Sequence, residues 1–341
     1  MIDFETLSAD APAIILLCTS LGAAPGSVRP VPPVAFARLT EQVRRQSFSG
    51  VRDLADLSAD EIVRSLDVDA DAAARYVRLL SRGGQLAFEL DRLRSRGIWV
   101  VTIADDAYPA RLRDRLGPGA PPVLFGTGPA ELLDRGGVAI VGSREADPGA
   151  VSFTERLAIA VTAGGSQVVS GGARGVDAVA MRAAVEANGA VVGVVPEGVE
   201  RRLREASTRS AIASGQAVLV SPYHPAAGFS AGAAMGRNKL IYTLADVAVV
   251  VSSADGSGGT WSGAVEALKG GWVPLLIRDD ADVPSGNRSL LAIGGSPITS
   301  PSIGEVATAE ALAALANAAP RRVAEPTSAY ELRPLFDPDE S

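Results

Sequence analysis

The stretch Gly137-Val138-Ala139-Ile140-Val141-Gly142-Ser143-Arg144 decides the fold. Its apolar run over 138–141 breaks at Gly142 and is followed, after Pro148, by a helical pattern, so it reads as a buried parallel strand, a loop and a helix. Such a junction suits anions. A strand that stops at Gly-Ser lets backbone N–H groups approach a phosphate, the next helix N-terminus adds partial positive charge, and Arg144 offers a fork of donors. Gly142 could equally do no more than permit a tight turn.

Downstream the pattern repeats. Apolar runs over 167–170, 191–195, 217–220, 246–252 and 273–277 read as further strands, with helical patterns between them. The alternation predicts an α/β, Rossmann-like, doubly wound and mainly parallel sheet covered by helices on both faces. Ligands of such sheets lie beyond the carboxyl ends of the strands. One loop there is Ser170-Gly171-Gly172-Ala173-Arg174-Gly175-Val176-Asp177. Another is Ser221-Pro222-Tyr223-His224-Pro225, leading on to Gly236-Arg237-Asn238-Lys239. A third, Ser257-Gly258-Gly259-Thr260-Trp261, opens a helix that carries Glu266. Their glycines allow close backbone approach, and Arg144, Arg174, Arg237 and Lys239 place cations on one rim. Asp177, at a helix start, also has a plain reading as the complement of a helix dipole. The first turn lacks a Gly-x-Gly-x-x-Gly fingerprint, so no redox chemistry and no cofactor are expected.

Composition narrows the class. The 341 residues suit roughly two domains. A balance of 32 Lys and Arg against 39 Asp and Glu leaves −7, so any nucleic-acid contact must come from a local patch. The single cysteine, Cys18, lies in an apolar run and reads as core; alone, it excludes an intrachain disulfide and a multi-cysteine metal site, and no metal is expected. No apolar run approaches the roughly 20 residues that span a bilayer, and no leader pattern appears, which points to a soluble cytoplasmic protein.

The chain divides at three places. Residues 1–95 read as a helical domain, with helical patterns over 11–21, 34–46, 71–82 and 85–96 and a capping box at Ser58-Ala59-Asp60-Glu61. Strands over 97–102 and 121–126 lead into the main domain, which extends over 96–320. Residues 321–341 turn to Pro, Glu, Asp and Arg and read as an extended tail. A basic helix over 200–209 reads as a solvated face or as an extension of a nucleic-acid track.

In order and spacing, VAIVGSR at 138–144, SGGARGVDAVAM at 170–181, GRNKLIYTLADVAVVVSS at 236–253 and SGGTWSGAVEALKGG at 257–271 resemble the DprA/Smf family of DNA-processing proteins. The resemblance spans about residues 97–300. It implies a Rossmann-like domain that binds single-stranded DNA at a positive pocket, forms a homodimer, and helps load a RecA-type recombinase during transformation, recombination or a response to foreign DNA. Carried over, the DNA-binding positions fall on Gly142, Ser143, Arg144, Ser170, Gly171, Arg174, Gly175, Arg237, Asn238 and Lys239, to which Gly172 and the loop Ser257, Gly258, Gly259, Thr260 and Trp261 add the remaining rim. Arginine forks and amides hold phosphates without reading sequence. The chain departs from the family's pattern at SPYHPAAGFSAGAAMGRNK (221–239) and SGGTWSGAVEAL (257–268), and the tail is shorter than the family's frequent winged helix.

Those departures keep two alternatives open. SGGTWSGAVE is similar to the glycine motif of the LOG phosphoribohydrolases, with a longer step from Thr260 to Glu266. In an N-glycosidase acting on nucleotides or modified bases, Glu266 would steady the sugar or activate water, His224 or Asp177 would move a proton, and Trp261 would stack on a base. Glu266 also reads simply as a helix residue facing Lys269. The third reading is a nucleotide-sensing module, on fold analogy alone.

Overall fold

The computed structural model describes residues 7–23, 27–304 and 308–318; the tail predicted over 321–341 lies outside them. Every residue of the strand Val138–Gly142 (β3) is buried, as an unbroken apolar run requires of a strand covered on both faces. Around it stand β1 (Ile98–Thr102), β2 (Val123–Thr127), β4 (Val168–Ser170), β5 (Val191–Val194), β6 (Ala217–Ser221), β7 (Val247–Ser252), β8 (Leu275–Arg278) and β9 (Ser296–Ile298). They form one sheet in the order β1-β2-β6-β5-β4-β3-β7-β8-β9. All pairings from β6 to β9 are parallel, and β2 joins β6 and β1 joins β2 antiparallel. The chain winds outward from β3 to β6, then returns to the other side of β3 as β7. That reversal is the switch point beyond which ligands of open α/β sheets bind.

Of the strands, only β9 went unpredicted. It has three residues, one of them Pro297, which an edge position tolerates because one flank needs no ladder partner. The predicted basic helix is broken: α9 (Val199–Arg202) stops and α10 (Ala206–Ala213) starts anew.

Helices cover both faces. On one, Ala139, Val141, Val250 and Ile277 pack against Leu240, Ile241 and Tyr242 of α11 (Ala231–Leu244) and Ala264 and Ala267 of α12 (Gly258–Gly270), with α6 (Ala110–Leu116) alongside. On the other, Val138, Ile140 and Val249 meet Phe153 and Leu157 of α7 (Pro148–Ala163), Ala180 and Ala184 of α8 (Val176–Glu186) and Leu312 of α14 (Ala309–Ala318).

The N-terminal helices are α1 (Ala11–Cys18), α2 (Pro33–Arg45), α3 (Ala59–Ser65), α4 (Ala70–Leu80) and α5 (Gly83–Ser95). The capping box at the head of α3 forms as its sequence predicts. These helices share a core with the antiparallel end of the sheet, where Ile14, Leu17 and Phe36 lie with Ile98, Val100, Val123, Phe125 and Leu219. No described helix is long and apolar enough to cross a membrane.

Asn287, in α13 (Ser285–Ala292), ties the carboxyl ends of β7 and β8 together. It is fully buried, donates to the carbonyls of Val251 at 3.0 Å and Arg278 at 2.9 Å, and accepts the Ser253 N–H at 2.9 Å. Stranding a buried polar group costs about 1–3 kcal/mol. We therefore expect Asn287→Ala to lose about 3 kcal/mol in urea unfolding, and a loss under about 1 kcal/mol would contradict this role.

Candidate nucleic-acid interface

Three turns meet at the switch point, and their amides are largely engaged within the chain. The Ser143 N–H donates to the Ser252 carbonyl at 3.0 Å and hydroxyl at 3.2 Å. The Ser143 hydroxyl accepts the Glu145 N–H at 3.1 Å, and its carbonyl accepts the Val176 N–H at 3.2 Å. Gly142 allows α8 to approach, since a Cβ there would collide with Val176. Ser170 is fully buried and donates its hydroxyl to the Ile140 carbonyl at 2.7 Å, so that side chain cannot reach a ligand. The Gly-Ser junction read from sequence as an amide cradle therefore binds itself.

Beneath the turns lie Asp177, 5% exposed, and Arg237, 3% exposed. Arg237 donates from Nη2 to the Gly171 carbonyl at 3.0 Å, and a Cβ on Gly171 would strike its guanidinium. Burial lowers the Arg237 pKa, and Asp177 and Glu197 oppose that shift. Burial raises the Asp177 carboxyl, while Arg237 and the amides of Ala173, Gly142 and Gly171 pull it down. Tyr223 packs close by, its phenol pushed up to about 12 by burial.

The helix starts around the crevice differ. Asp147 caps α7 by accepting the Ala150 N–H at 2.8 Å, and Ser230 caps α11 through the Ala233 N–H at 3.0 Å. At α12 the N-cap residue Ser257 makes no side-chain cap, and Ser257 and Gly258 are exposed, with Gly259 and Thr260 half-buried. Asn238 holds that first turn by donating to the Gly259 carbonyl at 2.9 Å. Trp261 is half-buried against the core, so it packs instead of standing open for a base.

Two arginines on the turns after β3 and β4 are exposed. Gly175, at φ +76°, sits against the Ser143 carbonyl and the Arg144 backbone, which brings the turns carrying Arg144 and Arg174 together. Both side chains are exposed, and Arg174 has no partner among the described residues. Arg144 lies 5.3 Å over the ring of Phe229, which is 50% exposed. Gly172 is held from behind by Arg202, which donates to its carbonyl at 2.9 Å and pairs with Glu197 at 2.6 Å. Sequence reasoning gave Phe229 no role at the site and read Arg202 only as part of the basic helix over 200–209. An aromatic residue amid Gly, Ala and Ser was the only signal for Phe229.

The candidate catalytic groups are not assembled. Glu266 lies about 10 Å along α12 from Gly259, its carboxyl raised by burial and drawn down by Lys239 and Lys269. Lys239 answers it, lowered by burial and raised by Glu266, so this cation faces α12. His224 follows β6, four strand spacings or about 19 Å from β7. Its Nδ1 accepts the Ala226 N–H at 3.2 Å, and its charged neighbours are Arg92, Glu200 and Glu89. Asp177 is sealed among the turns.

Residues 99–301 match the family described as DNA recombination-mediator protein A. The chain belongs to this family. Its role is accordingly in DNA processing and recombination. It is 29% identical over 277 residues to a putative DNA processing protein DprA of Mycobacterium tuberculosis, covering 76% of this chain and 68% of that one. It is 28% identical over 180 residues to the DNA processing protein DprA of Bacillus subtilis, covering 52% and 60%. The solved DprA of Streptococcus pneumoniae shares the fold, with a TM-score of 0.56 at 18% identity over 82% of this chain and 97% of that one. The family match runs from β1 to just beyond β9 and contains every crevice residue named above, whereas α1–α5 precede it.

His224 is the only histidine, and burial followed by Arg92 lowers its pKa from 6.5. Below pH 6.5 the unfolded chain therefore takes up the proton first, and stability falls on acidification. Thermal melts from pH 7.5 to 5 are expected to show a steeper decline for the wild type than for His224→Gln. Parallel curves would contradict the half-buried placement of His224.

Proposed function

We propose that the crevice holds the phosphate backbone of single-stranded DNA between Arg144, Arg174 and the open start of α12. The observation that carries this reading is the joining of the two arginine-bearing turns at Gly175, while α12, which follows the neighbouring strand β7, starts with no side-chain cap. Guanidinium forks and free helix amides bind phosphate without regard to base, as a DNA-processing protein requires. Phe229, half exposed under Arg144, supplies a face on which a base stacks. The acidic net charge favours a local contact over a general one. We further propose the cytoplasm as the site of action, a homodimer as the working unit and a RecA-type recombinase as recipient of the bound strand; the family resemblance supports each.

Binding of a fluorescent dT oligomer across a salt series tests the reading. Each phosphate contact contributes about 0.7 to the slope of log K against log salt for single strands. Arg144→Ala and Arg174→Ala should each weaken binding and flatten the slope by about that amount. Wild-type affinity and slope in both variants would end the proposal. Arg237→Ala is the poorer probe, because its loss unseats the Gly171 turn.

Ser257→Asp separates stability from binding. A carboxylate at an uncapped helix start stabilises by about 0.5–1 kcal/mol. The same charge repels phosphate, so this variant should melt higher and bind the oligomer more weakly. Unchanged binding would place the strand away from α12.

A further inference from the structure

Two consecutive carbonyls in the turn after β4 are each held by a guanidinium from a different helix. Arg237 of α11 donates to the Gly171 carbonyl at 3.0 Å, and Arg202 of α9 donates from Nη2 to the Gly172 carbonyl at 2.9 Å. Gly172 sits at φ +63°, in the left-handed region, two residues before Arg174. The rest of the Arg202 guanidinium is engaged as well. Nε pairs at 2.6 Å with Glu197, which is 5% exposed, and Nη1 pairs with Glu205 at 3.3 Å. The helix that carries Arg202 is itself seated on the segment after β6. The Gly198 N–H bonds to the Ala227 carbonyl at 3.0 Å, and the Glu200 N–H to the Pro225 carbonyl at 3.1 Å.

We propose that Arg202 is a positioning residue for strand binding: it clamps the Gly172 carbonyl, so that the exposed Arg174 is presented at one fixed place to a phosphate. The DNA half of the proposal rests on the single-strand reading. The clamp rests on the hydrogen bond and the ion pair alone. Arg202 does not reach the strand itself, because Gly172, Glu197 and Glu205 occupy its donors. A planar fork can serve a carboxylate and a carbonyl at once, which the point charge of a lysine cannot. The benefit is preorganisation: an arginine borne on a fixed turn has less freedom to lose on binding than one borne on a loose turn.

A double-mutant cycle on the full chain, read as affinity for a fluorescent dT oligomer over a salt series, is the test. Arg202→Gln should weaken binding and flatten the slope of log K against log salt by up to about 0.7, the share of the one phosphate contact it positions. On an Arg174→Ala background the same substitution should change affinity by less than about twofold, because residues that act through one another are not additive. Losses that add overturn the proposal. With a slope flattened by about 1.4 in the double variant they make Arg202 a phosphate contact in its own right, and without that change a merely structural residue. Wild-type affinity in Arg202→Gln also overturns it. If Arg202→Gln does not fold, Arg202→Lys, which keeps a cation against the buried Glu197 but lacks the fork, takes its place with the same expectations. Amide hydrogen exchange without DNA is the second arm. The Ala178 N–H bonds to the Ala173 carbonyl at 3.0 Å and closes the same turn, so in the Arg202 variant it should exchange at least about threefold faster, with the β7 amides unchanged. Wild-type exchange at Ala178 overturns the clamp. A wild type that binds no oligomer defeats the single-strand reading, and the exchange rates then decide the clamp by themselves.

Discussion

A buried guanidinium organises the crevice. Arg237 on α11 reaches the Gly171 carbonyl, and its neighbour Asn238 reaches the Gly259 carbonyl, so two consecutive residues fasten the turn after β4 and the start of α12. Successive side chains on a helix diverge by about 100°. They can serve both turns only if α11 stands between them, with its first turn rising clear of the sheet. Ala231, Gly232 and Met235 are accordingly exposed, and Ser230 caps a helix end that has no neighbour to satisfy it. Taking a guanidinium out of water is costly unless charge and hydrogen bonds compensate. Asp177 and Glu197 supply the charge and Gly171 the acceptor, and any side chain at Gly171 would abolish the contact.

The inner shell therefore differs in kind from the outer one. Inside, charges face one another in a dry setting and fix geometry. Outside, Arg144 and Arg174 stand in water, where interactions are screened over about 8–10 Å at physiological salt. A chain of net charge −7 can hold a polyanion under these conditions, since acidic groups more than a Debye length away contribute little. Fixed acceptors below and mobile donors above suit a partner whose backbone repeats but whose bases vary.

Much of this could be read from the residues, and the parts that could not share a cause. The runs at 138–141, 191–195 and 246–252 announced buried strands because both faces of the sheet are covered. The glycine turns were correctly set on one rim because connections in such sheets follow fixed rules. Which amides remain free was not legible, for it depends on partners distant in sequence, such as Ser252 for Ser143. The capping roles of Asp147 and Ser230 were written in the Asp-Pro and Ser-Ala steps before α7 and α11, yet an anion-binding reading passed over them. His224 and Glu266 looked like partners because both lie in the segments that depart from the family's pattern. Sheet order puts four strand spacings between the turns concerned, and helix rise carries Glu266 away from the rim.

The N-terminal helices act on the crevice as a brace. Arg92 of α5 and Arg96 just after it hold Glu200 at 2.8 and 3.1 Å, and Glu200 is largely buried. Two residues on, in the same short helix α9, Arg202 grips Gly172 and Glu197. One helical turn thus links the seat of the N-terminal helices to the back of the glycine turn whose front carries Arg174. Because Arg92 and Arg96 are already paired, these two cations are committed to that seat and do not extend the DNA track.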